Sequence, residues 1–346
     1  MSTIDDALHA LEDTGPEFGG GLSNHGPMAA EALIALGHAD LVMPWVEQYK
    51  PHLDEHPAAR RSISKDDWRE ALGDQRRVGD LIAFFDAELL DRPWQAVLDE
   101  WAIQLAPGLV AAGTHGLIRT AHAVRSLGEA ETAARRHELA EGLGYWAARY
   151  HRLPDRRGGE GTMKPSQAID RVARIPPEEQ VSDGLIVDLL RPLDHAPAFP
   201  AIADLVESTA DESAFLSDLT ETCARVYLAN VEETGHVIGF VHTVTAPSAV
   251  RLLSPHVSKP TGAALRRYAW QAAAALYATM GRREPSTATL EPPGATADEL
   301  AAAAAATLDA HAIKFTEACL REYALNPSAV YLVAAADATE RLRGSG

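Results

Sequence analysis

Five histidines stand among apolar or small residues: His25 in "SNHGPMAAEAL", His115 and His122 in "THGLIRTAHAV", His242 in "FVHTVTAPSAV" and His311 in "HAIKF". Taken singly, a histidine in such a place is ordinarily a hydrogen-bonded core or surface residue. Their common setting points further, because a neutral imidazole is a metal ligand and nitrogen ligands gathered from several helices hold iron, copper or zinc. His25 comes just before Pro27, at the mouth of an expected helix, where the positive end of the macrodipole disfavours an imidazolium. His115, Arg119 and His122 fall at i, i+4 and i+7, so one helix face carries all three and must meet a polar cavity, a buried partner or solvent. His242 precedes Pro247, which disturbs its helix about one turn later.

Lys314 is harder to place. It lies one turn from His311, on the flank of an apolar stripe made of Leu308, Ala312, Phe315 and Cys319. As an ammonium it repels a cation, yet an iron(II) ion held by neutral imidazoles alone wants an anionic ligand. The chain has one Glu-x-x-His pair, Glu233 with His236, where di-iron bundles carry two. Gly235 inside that pair suits a helix entrance better than a bundle interior.

The elements that must position these residues are helices. Alanine and leucine dominate, period-two β-branched runs are scarce, and apolar residues recur at three and four positions, so the spacing predicts an all-α fold. "GPMAAEALIALG" has proline inside its start and glycine past its end. "SKDDWREAL" pairs Ser64 with Asp67 as a variant capping box, which gives the acids of "DDWRE" a structural purpose in place of a diphosphate-magnesium one. Further helices are expected over 78–90, 94–105, 109–127, 132–150, 213–230, 237–253, 261–280, 298–323 and 327–343. Gly, Pro and charge concentrate in 152–184 and 281–297. Residues on both sides of these stretches enter the expected site, so we expect one large helical domain over 1–346 with two irregular excursions.

Other chemistries lack their sequence signatures. There is no G-x-G-x-x-G between strand and helix, and no P-loop, G-x-S-x-G or H-E-x-x-H. A formal charge of −18 over 346 residues disfavours nucleic acid and anionic lipid as partners. No run approaches the roughly 20 apolar residues that span a bilayer. The N-terminus lacks the basic and apolar regions of an export signal. The two cysteines, Cys223 and Cys319, sit in apolar helical patterns and read as small hydrophobes, so a cytoplasmic location is expected.

The segments "NHGPMAAEAL", "THGLIRTAHAV", "HTVTAPSAV" and "HAIKFTEA", in that order and spread from 24 to 318, together resemble the questin oxidase-like proteins, oxygenases that open anthraquinone-type rings in aromatic polyketide metabolism. The resemblance implies a mononuclear non-haem iron site whose ligands are His25, His115, His242, His311 and a Lys314 carboxylated by carbon dioxide. The Lys314 carbamate would supply the missing negative charge, and five ligands leave an octahedral ion one open position. Fungal members tend to carry another histidine and then a tyrosine where this chain has Arg119 and His122. Those two residues would line the substrate chamber, Arg119 holding a phenolate or carboxylate and His122 acting as acid or base, or would take structural hydrogen bonds. The expected function is iron-dependent cleavage of a C–C bond in a polycyclic aromatic polyketide with O2. The alternatives are an NADPH- or flavin-assisted Baeyer–Villiger oxidation, for which no dinucleotide fingerprint is present, and a non-catalytic helical binding protein.

Overall fold

The computed structural model describes residues 3–156, 158–209 and 211–344. As expected, the fold is all-α: among the described residues the only strands are the two-residue β1 (Glu17–Phe18) and β2 (Leu22–Ser23), paired as a small antiparallel hairpin. The chain groups into two compact units, Met1–Arg152 with Leu252–Gly262, and Leu153–Arg251 with Ala263–Gly346.

The first unit contains α1 (Thr3–Leu11), α2 (Gly26–Ala35), α3 (Val42–Tyr49), α4 (Val78–Asp91), α5 (Trp94–Leu105), α6 (His115–Glu129) and α7 (Ala133–Ala148). Helices α4 and α6 both pack on α7, whose Tyr145 and Trp146 are fully buried. Glycines allow this closeness. A Cβ on Gly116 would lie 2.6 Å from the Trp146 Cα, one on Gly142 2.9 Å from the Thr120 nitrogen and Cα, and one on Gly144 2.6 Å from Ile82 Cγ1.

The second unit contains the one-turn helices α8 (Pro165–Ala168) and α9 (Ile186–Leu189), then α10 (Glu212–Thr234), most of α11 (Val237–Leu253) and of α12 (Lys259–Met280), and α13 (Ala297–Thr307), α14 (Ala310–Leu325) and α15 (Ala329–Arg341). Helix α14 packs on α13 and α15. The stretch 237–256 is long and apolar enough to cross a bilayer, which corrects the expectation that no run approaches that length. With 78% of its apolar window buried, it has the character of a core helix. Cys223 on α10 and Cys319 on α14 are buried free thiols, their pKa values pushed up by burial.

Three expected helices change shape. The one opening at Ser64 shrinks to a single 3-10 turn, Trp68–Glu70. Asp67 Oδ1 does accept from the Ser64 N–H at 2.7 Å and hydroxyl at 2.9 Å, but Gly73 at φ +80° ends the segment within a few residues. Residues 109–127 break at Ala112, Gly113 and Thr114, all at positive φ, so α6 begins at His115. Residues 298–323 break at Leu308 (φ +59°), because the Asp309 carboxylate accepts from the His311 and Ala312 N–H groups and starts a new helix there. The Glu233 side chain lies outside the described residues; Gly235, left-handed at φ +70°, ends α10, and His236 follows between α10 and α11.

Gly142→Ala tests the close packing of α6 on α7. Helix propensity alone would stabilise by about 1 kcal/mol, whereas crowding against Thr120 costs roughly 1–3 kcal/mol. The expected outcome is a lower Tm; a higher one would show that the helices have room to spare.

Candidate functional site

Three of the four proposed histidine ligands occupy helix starts. His25 is the N-cap of α2, its backbone N–H donating to the Tyr49 hydroxyl at 2.9 Å. His115 is the first residue of α6 and His311 the second of α14. At a helix start the dipole opposes a positive ring, although beside His311 the Asp309 carboxylate, 3.9 Å from Nδ1, acts the other way.

In the first unit, the rings of His25 and His115 stack at 4.8 Å between centroids and 14° between planes. His115 Nδ1 donates to the Ala112 carbonyl at 2.6 Å, which leaves Nε2 of the neutral ring as the lone-pair nitrogen. That atom lies 2.9 Å from His25 Nε2. Two cis nitrogens each about 2.1 Å from an ion are about 3 Å apart, so the pair fits a metal edge-on. The turn that aims the Ala112 carbonyl runs through Ala112 (φ +50°) and Thr114 (φ +79°), non-glycine residues in a conformation costing about 1 kcal/mol or more each.

A buried carboxylate ties together the two helices that carry this pair. Glu31 on α2 accepts from His122 Nδ1 at 2.6 Å and from Arg125 Nε at 2.5 Å, both on α6. Burial alone would raise the Glu31 carboxyl, but the Arg125 charge and the His122 hydrogen bond hold it below its usual value. Arg119, expected to share a chamber face with His122, directs Nε and Nη2 to Glu138 at 2.6 and 2.8 Å, with Nη2 also 3.3 Å from Glu141. Burial opposes the Arg119 charge, yet these two carboxylates raise its pKa.

The second unit repeats the arrangement. His242 on α11 is 2% exposed and meets the His311 ring edge-on, 5.9 Å between centroids. Lys314, one turn beyond His311 and 4% exposed, has its pKa lowered by burial to about 7, against the opposing field of Asp309. Again a fully buried glutamate joins the two helices that carry these residues. Glu322 on α14 accepts from Ser248 at 2.6 Å and from Arg251 at 2.8 Å, both on α11, and from Thr220 of α10 at 3.2 Å. The sequence reading passed over Glu31, Glu322, Asp309 and the Ala112 carbonyl. The signals available were a lone acid in "MAAEAL" and an aspartate two residues before His311 in "LDAHAIK".

The family model described as Questin oxidase-like matches residues 22–319, a span that begins before the His25 helix and ends on the Lys314 helix. The chain belongs to the questin oxidase-like family. No curated protein matches the sequence. As a questin oxidase-like protein it is an oxidase of aromatic polyketide-type small molecules, with O2 as the expected oxidant.

The Glu31 clamp predicts a defined acid limb. A carboxyl held below its unfolded value of 4.5 contributes stability above that pH and loses it as pH falls through the folded value. Glu31→Gln is therefore expected to lower stability at pH 7 by roughly 3 kcal/mol, and to lose less than the parent on acidification below about 4.5. Denaturant melts across pH check both, and parallel acid limbs would remove Glu31 as the group responsible.

Proposed function

We propose that this questin oxidase-like protein is an iron(II)-dependent oxygenase that opens a ring of a polycyclic aromatic polyketide, such as an anthraquinone or its hydroquinone, by C–C cleavage with O2. Its ligands would be His25, His115, His242, His311 and a carbamate on Lys314. The observation that carries the reading is His115: its Nδ1 is engaged by Ala112 and its Nε2 faces His25 Nε2 at 2.9 Å. Iron(II), when bound, would supply the redox chemistry through which O2 attacks an electron-rich ring.

The chain's own contribution is to keep the imidazoles neutral and to provide one negative charge. A Lys314 amine buried as deeply as this one is substantially uncharged near neutral pH and nucleophilic. Its nitrogen lone pair adds to the carbon of CO2, a proton leaves the nitrogen, and the resulting carbamate carries an anionic oxygen. That oxygen suits a hard cation as the ammonium does not. Arg119 and His122 would act as positioning residues through Glu138, Glu141 and Glu31, holding the helix that begins with His115.

Protein purified without oxygen is expected to carry near-stoichiometric iron. His115→Ala and His311→Ala are each expected to lose at least tenfold in iron content, judged by the magnitude of much subtler ligand perturbations, while far-UV circular dichroism stays unchanged. Iron retained in both variants would sink the ligand set.

Lys314→Ala separates the carbamate from the rest. It is expected to lose iron, and a short carboxylate such as acetate or propionate is expected to restore part of it by filling the vacated space with an anionic oxygen. Full iron content without added carboxylate would show that Lys314 is no ligand.

A further inference from the structure

A second group of donors lies in the first unit, outside the proposed iron ligands. His137 and Glu141 are four residues apart on α7 and so share a face. His56 approaches them from the loop after α3, its backbone N–H fixed by the Asp13 carbonyl at 2.9 Å. The possible ligand atoms of these three residues all lie within 4.8 Å of one another. His56 Nε2 is 2.6 Å from Glu141 Oε1, and His137 Nε2 is 3.7 Å from the same oxygen.

We propose that His56, His137 and Glu141 form a divalent transition-metal site of the zinc type, with a fourth position left to water or a small ligand. Two imidazoles and one carboxylate are a donor set that zinc accepts with an open coordination position. Tetrahedral ligands at about 2.0–2.1 Å from zinc are roughly 3.3 Å apart, so a small outward movement of His56 from Glu141 would seat the ion.

Two further features favour a cation. His137 Nδ1 lies 2.9 and 3.0 Å from the two Asp86 oxygens on α4. Donating there leaves Nε2 as the ligating nitrogen, held in the carboxylate–histidine arrangement that orients metal ligands. Arg119 Nη2 approaches the Oε2 of Glu141 at 3.3 Å, leaving Oε1 to face the histidines. Around these groups three carboxylates, Asp86, Glu138 and Glu141, face the Arg119 guanidinium and the His137 ring, whose pKa Asp86 raises to about 9, so a divalent ion taking the place of the His137 proton would leave the group neutral. His137 and Glu141 also line a cavity of about 240 Å³, with room for a ligand at the fourth position.

The test uses full-length protein stripped of metal by a chelator and titrated with Zn2+ by calorimetry and with Co2+ by visible absorption. His115→Ala serves as the background, so that failure of the iron proposal and failure of this one are read separately. About one equivalent of Zn2+ is expected to bind this background, and Co2+ is expected to give the intense visible bands of a four-coordinate ion. Adding His56→Ala, a change in a loop, is expected to weaken Zn2+ binding at least 100-fold. Asp86→Asn, which leaves all three ligands in place, is expected to weaken it about 10–100-fold. No Zn2+ binding by either the folded background or the parent, or an affinity unmoved by His56→Ala, would overturn the proposal.

Discussion

In each unit a buried carboxylate ties together the helices that carry the candidate ligands. Glu31 holds α2 against α6, and Glu322 holds α14 against α11. Each of these helix pairs carries two histidines of the proposed set: His25 with His115, and His242 with His311. A carboxylate without water is costly, and several charged or polar donors must converge on it to make burial tolerable. That requirement makes the clamp specific. Arg125 and His122 can both reach Glu31 only from one register of α6, and Ser248 and Arg251 can both reach Glu322 only from one register of α11.

The second constraint lies in how the ligand helices begin. A helix start exposes unpaired N–H groups and the positive end of a dipole, a poor place for an imidazolium. His25, His115 and His311 all stand at such starts. Two of these starts are bought with backbone strain, since left-handed Ala112 and Thr114 precede His115 and left-handed Leu308 precedes Asp309 and His311. A continuous helix through either point would avoid the strain, but it would lose the Ala112 carbonyl on His115 and the Asp309 cap before His311. The break before α6 therefore exchanges local stability for a defined His115 ring orientation, and the break before α14 exchanges it for a capped helix start.

Lys314 belongs to the same logic. Desolvation favours its neutral amine, and among the causes of its shift only Asp309 pulls the other way. An exposed lysine would stay an ammonium and remain useless as a cation ligand. Burial changes what the side chain can do without any change of residue.

Much of this was legible in the sequence. Helical periodicity, proline at helix entry and glycine at helix exit are local properties, so the all-α class and most helix bounds followed from neighbouring residues alone. The motif residues also identified the family, because their types and order are linear information. The tertiary structure decided what periodicity does not encode: that "GLVAAGTHGL" breaks before His115, that "TLDAH" breaks before His311, and that Arg119 and His122 turn to different carboxylates. The two breaks turn on local groups that periodicity ignores, the Ala112 carbonyl and the Asp309 cap, whereas the third outcome depends on partners 91 and 19 residues away, Glu31 for His122 and Glu138 for Arg119. A helical spacing says which side chains share a face; only packing says which buried charge that face must answer.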